Sequence, residues 1–300
     1  MNRVRAMLHA DEVHRAGITG RNITAAVLDT GICRHPDYAD RIIEFRDFVN
    51  KKGICYDDAS HGTHVSGILA GDGRCSAGKY CGIAPGCRLI HLKVLDRFGQ
   101  GNLEDIIEAV KWVIHNREKY GIRILNLSAG TSKSEEDQGA EQLVSWVDKA
   151  WDAGIVVVVA AGNKGPLPMS VTVPGTSRKV ITVGSSDAFG FRPDRGNTDY
   201  SGCGPTHDCI CKPELIAPGT GIHSCSNRWK GRQYYSIKSG TSMAAPAVSG
   251  GIALLLETEP ELTNVEVKMR LKLSARDMGY TGNRQGWGMP DFRVLTGIFG

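Results

Sequence analysis

The sequence predicts an α/β protein with a mostly parallel central sheet covered by helices on both faces, formed as one domain over residues 1–300. Three features carry this. Apolar, β-branched runs alternate with segments of helical period along the chain. The runs are nearly continuous in apolar residues, as strands buried on both faces are. No repeat, low-complexity tract or Pro/Ser linker divides the series. With 41% hydrophobic and 23% charged residues, the composition excludes a disordered, collagen-like or coiled-coil chain.

Residues 23–28 read as the first buried strand, between Gly20 and Asp29-Thr30-Gly31. Residues 60–65 open a helix of small residues, and residues 88–95 form the next strand. Apolar positions 103, 106, 107, 110, 113 and 114 give helical spacing, and the helix ends in cations near Lys119. Residues 122–127 follow as a strand, then 140–153 as a helix stopped by Gly154, then 155–161 as a fully buried strand. Residues 180–183 and 214–217 are shorter strands, residues 192–212 an irregular loop, and 242–257 a helix. In such sheets ligands bind at the carboxyl ends of the strands, so the residues just after strands are the functional candidates.

The 36 basic and 32 acidic residues are well mixed, and a net charge of +4 argues against a nucleic-acid or membrane partner. The longest apolar run, residues 155–161, is far short of the roughly 20 residues of a membrane span. Nine cysteines cannot all pair, and the N-terminal stretch lacks the apolar segment of a secretory signal. Both features favour a reducing, cytoplasmic setting, or a secreted one if an N-terminal signal or precursor segment has been removed. Cys75/Cys81/Cys87 and Cys203/Cys209/Cys211 could hold zinc or stand as thiols; neither cluster has paired C-x2-C spacing.

Three segments carry candidate chemistry. Asp29 ends the first strand, His61 stands in Ser60-His61-Gly62-Thr63-His64-Val65, and Ser242 in Gly240-Thr241-Ser242-Met243-Ala244-Ala245-Pro246. Alone, each has a plain reading: a strand-end cap or calcium ligand, a His-x-x-His chelate lacking the glutamate of H-E-x-x-H, and a helix N-cap. Together they are the parts of nucleophilic acyl transfer. A serine hydroxyl needs an imidazole base, and the imidazole needs an acid to fix its tautomer.

The order Asp…His…Ser, with D-T-G, H-G-T-H-V and G-T-S-M-A-A-P intact over nearly the whole length, resembles the subtilisin-like serine proteases, the subtilases. The likeness is to bacterial members of the intracellular, prodomain-less type. It implies a subtilisin-like three-layer fold and a serine endopeptidase acting on polypeptides. In those roles Asp29 orients the ring, His61 is general base and then acid, Ser242 is the nucleophile, and His64 is structural. Ala160-Ala161-Gly162-Asn163 matches the family's oxyanion segment, which implies that the Asn163 amide and the Ser242 N–H bind the oxyanion. Gly99, Gln100 and Gly101 on one side, with Ser128, Ala129 and Gly130 on the other, match the segments that hold an extended peptide as an added strand.

Leu103 stands where the family often has a larger aromatic, so the fourth subsite is expected to be more open. Ala160 and Gly162 are expected to line the first subsite with Pro174 near its floor, which suits an apolar or bulky P1 side chain. Pro246 is expected in the first turn of its helix, where a missing N–H costs nothing. Residues 4–16 match the family's first helix, so the expectation is either a chain that folds without a prodomain, as intracellular members do, or a precursor that has been trimmed. The chemistry needs no cofactor. The segment where secreted members carry a calcium loop, residues 71–81, has one carboxylate and two cations. That leaves Asp37 as a lone family ligand, so the classical calcium site is expected to be absent, a weaker structural calcium site elsewhere stays open, and no metal residue is assigned. Residues 134–137 read as the acidic start of a helix or as a lure for basic substrates, and Cys33 as a thiol placed to sense oxidation. A catalytically quiet, peptide-binding subtilase is the competing reading. An aspartic protease would need a second D-T/S-G, which is lacking.

Overall fold

The computed structural model describes residues 1–128, 138–187, 191–192, 196–197 and 199–298. Seven strands form one sheet: β1 (Thr24–Asp29), β2 (Ile42–Asp47), β3 (Arg88–Lys93), β4 (Ile122–Leu127), β5 (Val156–Ala160), β6 (Ile181–Ser185) and β7 (Leu215–Ala217). Their spatial order is β2-β3-β1-β4-β5-β6-β7, with every neighbouring pair parallel. Every residue of β1, β5, β6 and β7 is buried, which explains the continuous apolar runs of β5 and β7 and the apolar centre of β1.

Helices α4 (Leu103–Tyr120) and α5 (Gln138–Asp152) pack on one another and on β1, β4 and β5. Asn102 caps α4 by accepting the Glu104 N–H at 3.1 Å, and Ile106, Ile107, Val110 and Val113 form its buried stripe. Helix α6 (Thr241–Thr258) packs under β4, β5 and β6 and against α3 (His61–Ala70). It is apolar all round and buried from Thr241 to Leu256, the pattern of a helix inside the core. The two helix pairs give the three layers that the sequence predicts. A hairpin of β8 (Ile222–Cys225) and β9 (Tyr235–Lys238) covers α3. Among the described residues no helix is long and apolar enough to cross a membrane.

Four details depart from the sequence reading. Residues 4–16 are not one helix: His9 adopts a left-handed conformation (φ 59°) and separates α1 (Asn2–Leu8) from α2 (Ala10–Arg15), which lets the buried Leu8 and Ala10 both face the core. Strand β2 is an additional edge strand, half-exposed and therefore without an apolar run. Helix α7 (Asn264–Ser274) is also additional, and it starts at a full capping box between Thr263 and Glu266. Pro246 is the sixth residue of α6, not a first-turn residue, because the helix begins at Thr241. Its missing N–H therefore withdraws the i+4 donor from the Ser242 carbonyl.

Candidate active site

The carboxyl ends of β1, β3, β4 and β5 meet the first turns of α3 and α6 around one groove of about 650 Å³. His61, Asn163 and Ser242 line it together with Gly99, Gln100, Gly101, Leu103, Ser128, Ala160 and Gly162. Ala129, Gly130 and residues 134–137 lie outside the described residues. Pro174 is buried and is not part of the lining, where Thr172 stands instead.

Asp29 is fully buried at the end of β1. Its Oδ1 accepts the Thr30 N–H at 2.7 Å and lies 2.7 Å from His61 Nδ1. Burial pushes this carboxyl up, but the charge and hydrogen bond of the His61 ring outweigh it and hold it below the ordinary range. The same pairing acts in reverse on His61: burial lowers the imidazole, and the Asp29 carboxylate more than restores it, leaving it raised. The ring keeps 28% of its side-chain surface exposed, on the groove side.

The placement of His61 is built from neighbours that hold the start of α3. Asp57 Oδ1 accepts the N–H groups of Ala59 (3.1 Å) and Ser60 (2.8 Å) and the Thr30 hydroxyl (2.9 Å), while Oδ2 accepts the Thr63 N–H (2.8 Å). Thr30 Oγ1 in turn accepts the Gly62 N–H at 2.9 Å. The helix start is thereby tied to the residue that follows Asp29. Lys93, fully buried, donates to the Thr30 and Leu95 carbonyls and pairs with Asp58 at 2.8 Å, bracing the same corner.

Ser242 is the second residue of α6 and is 9% exposed. Its hydroxyl donates to the Ser128 carbonyl at 3.1 Å. Asn163 follows β5 and is exposed to the groove, but its orientation is held from behind. Its Oδ1 accepts both the N–H (2.9 Å) and the hydroxyl (3.2 Å) of Thr241, which leaves the amide NH₂ as the end offered outward. Gly240, at φ 147°, makes room for that amide, since a Cβ there would sit 3.3 Å from Asn163 Nδ2. His64 points away from the groove. Fully buried, it donates Nε2–H toward the Ile222 and Ser236 carbonyls, and burial lowers it to about 3.

This constellation has a match along most of the chain: the subtilase family profile covers residues 20–288. The chain belongs to the subtilase family. It is 45% identical to serine protease AprX of Bacillus subtilis (strain 168), over 88% of this chain and 64% of that protein. It is 34% identical to a thermostable alkaline protease of Halalkalibacterium halodurans, over 91% of this chain and 68% of that one. Among solved structures, S41 psychrophilic protease superposes with a TM-score of 0.77 at 29% identity, covering 91% and 92% of the two chains. The chain is thus homologous to subtilisin-like serine proteases and spans 64% of the length of AprX.

In this subtilase the sequence reading missed several residues that shape the site. Asp57 and Lys93 carry no motif of their own. Thr241 stands in the sequence only as part of a signature, yet it anchors Asn163. Phe98, 69% exposed on the groove rim, offers an aromatic surface near Leu103, so the rim is less bare than that leucine alone suggests. The loop beneath it is tightened by Asp96, whose Oδ1 accepts the N–H groups of Phe98 (2.8 Å) and Gln100 (2.9 Å).

Neither cysteine cluster converges on a ligand set. Among the described residues the convergent group is His35, Asp37 and Cys225, all buried, with ligand atoms within 4.8 Å of one another. Asp37 there accepts the Tyr235 hydroxyl (2.7 Å), the Cys225 thiol (3.7 Å) and the Cys75 N–H (3.1 Å). One carboxylate beside a thiol and an imidazole does not fit calcium, which takes six or more oxygens.

Proposed function

We propose that this chain is a serine endopeptidase that hydrolyses polypeptides through an acyl-enzyme on Ser242. The observation that carries the reading is the 2.7 Å contact of a buried aspartate with His61 on the groove that Ser242 and Asn163 also line. In the resting geometry the Ser242 hydroxyl donates to the Ser128 carbonyl. A peptide laid between residues 99–101 and 128–130 as an added strand takes up that carbonyl with its own N–H, freeing Oγ to turn to His61. His61, held in one tautomer by Asp29, accepts the proton as Oγ attacks, and returns it to the leaving amine. The Asn163 NH₂ and the Ser242 N–H, at the positive end of α6, receive the oxyanion.

The first subsite is walled by Ala160 and Gly162 beside Thr172, which suits an apolar or bulky P1 residue, with broad specificity set by backbone pairing. No metal is needed for the chemistry. Nine free thiols suit a reducing, cytoplasmic compartment.

The test is hydrolysis of a casein or peptide-anilide substrate by wild type and Ser242→Ala. A loss on the order of 10⁶ in kcat is expected, the scale of nucleophile removal in subtilisin. Activity retained by Ser242→Ala would overturn the assignment.

A further inference from the structure

His35, Asp37 and Cys225 come from distant parts of the sequence and meet in the interior, all three fully or almost fully buried. Their ligand atoms lie within 4.8 Å of one another. None lines the groove, and the acyl-transfer chemistry uses none of them. Burying an imidazole, a carboxylate and a thiol together costs free energy that three apolar side chains would not, so packing alone does not explain these residues.

The chemistry of each group suits a metal. His35 Nε2 lies 2.9 Å from the Tyr234 carbonyl, so that nitrogen carries the proton and donates it. Nδ1 then keeps the lone pair, and it accepts a long bond from the Asp37 N–H at 3.2 Å. An imidazole whose far N–H is fixed by a backbone carbonyl has the tautomer and orientation of a metal ligand. Nδ1 stands 3.8 Å from Asp37 Oδ1, and Cys225 Sγ stands 3.7 Å from Asp37 Oδ2.

Around a tetrahedral zinc, with ligands at about 2.0–2.3 Å, neighbouring N, O and S atoms are about 3.3–3.8 Å apart. The two observed edges close onto such an ion with shifts of about 0.5 Å or less. A fourth ligand stands beside them. The Cys75 N–H donates to Asp37 Oδ1 at 3.1 Å, and the half-buried Cys75 thiol bonds to the same carboxylate. From the other side the Tyr235 hydroxyl donates to Oδ2 at 2.7 Å and steadies the carboxylate. Two thiols, an imidazole and a single carboxylate form a set that selects zinc over calcium or magnesium, which are held by oxygens.

We propose that His35 Nδ1, Asp37, Cys75 and Cys225 form a structural zinc site. Both thiols bind as thiolates, so one Zn²⁺ enters as two protons leave, and the Asp37 N–H gives up Nδ1 to the metal. Four protein ligands close the coordination sphere, as in structural rather than catalytic zinc sites. The ligands come from three segments: the loop after β1, the segment after α3, and the end of β8. Each lies against α3. The Tyr38 hydroxyl donates to the Thr63 carbonyl, the Ile83 N–H to the Ile68 carbonyl, and β8 packs on the helix. The ion therefore ties together the surroundings of the helix that begins at His61, without touching the groove.

The test uses the full chain, stripped by a chelator under reducing conditions and then titrated with zinc or with cobalt. We expect one tight zinc per chain, release of about two protons, a higher melting temperature, and a tetrahedral cobalt spectrum with a thiolate charge-transfer band. Cys75→Ser and Cys225→Ser should each weaken zinc binding by more than about 100-fold, since even the outer partners of a zinc ligand are worth about 10- to 100-fold. Cys225 is buried, so the half-buried Cys75 carries the test if Cys225→Ser does not fold. The exposed Cys209 and Cys211 are the control: their double serine variant should keep the site. No stoichiometric zinc, an octahedral cobalt spectrum, or undiminished binding in folded Cys75→Ser would overturn the proposal. Loss of binding in the Cys209/Cys211 control would do so too.

Discussion

Among the described residues, two fully buried aspartates pair with an imidazole and come to opposite ends. Asp29 and Asp37 are both fully buried, and each has a histidine beside it. His61 sits 2.7 Å from Asp29 and is raised. His35 Nδ1 sits 3.8 Å from Asp37, and there burial wins, leaving the ring lowered. The far nitrogen differs as well. His35 spends Nε2 on the Tyr234 carbonyl at 2.9 Å, while the outer edge of His61 lines the groove. Asp37 is closed by Tyr235, Cys225 and the Cys75 N–H, whereas Asp29 keeps an oxygen without a partner. A carboxylate–histidine pair becomes a base when the contact is short and the ring's other end is left for a substrate. It becomes a structural tie when both ends are used.

The sharpest way to break this comparison is to neutralise each aspartate in turn. Asp29→Asn is expected to lose about 10⁴ in kcat through the wrong imidazole tautomer. Asp37→Asn should leave kcat of the folded enzyme within about two-fold and instead cost on the order of 2 kcal/mol of stability, because only structural donors are disturbed. Steady-state kinetics and urea unfolding of both variants check this. A comparable kcat loss in both would erase the distinction.

A smaller effect tests the oxyanion side of the active pair. Asn163→Ala should lower kcat by about 10² to 10³ with KM little changed, since the amide acts on charge that develops only in the transition state. A KM effect alone would make Asn163 a ground-state contact.

The least effect concerns acid stability. His35, His64 and His91 are all lowered by burial, the last two to about 3 and about 4. The unfolded chain binds protons on these rings near pH 6.5 and the folded chain resists, so stability is full above about 6.5 and falls as pH drops towards the folded values. His61, raised, acts in a different window: its stabilisation is full below about 6.5 and is lost as pH rises through its raised folded value. Melting temperature is therefore expected to decline from about pH 6.5 downward. A flat or rising melting temperature between pH 6.5 and 4 would mean these rings are not held neutral.

Much of the architecture was legible because its strands are buried on both faces and its helices carry clear periodicity or caps. Asp29, His61, Asn163 and Ser242 were legible because each sits at an element end within a distinctive local motif. What was not legible follows from geometry that sequence spacing does not carry. His91 stands in an apolar strand, Leu89-Ile90-His91-Leu92, and only the register against β1 reveals that it faces Asp29. Strand β2 lacks an apolar run because it is an edge. Helix α7 buries Val267 and Leu271 but leaves Val265, Met269 and Leu273 exposed, so its period is blurred even though its capping box is plain. The break at His9 depends on one left-handed residue that no pattern marks.

The most direct test of the central claim is the rate of fluorophosphonate labelling as a function of pH, followed by intact mass on wild type and Asp29→Asn. A single adduct on Ser242 is expected, with a rate that falls as pH drops through a midpoint above about 6.5, where the raised His61 takes up its proton. Asp29→Asn should label far more slowly. No adduct on folded wild type, or equal rates for the two proteins, would contradict activation of Ser242 through His61 and Asp29.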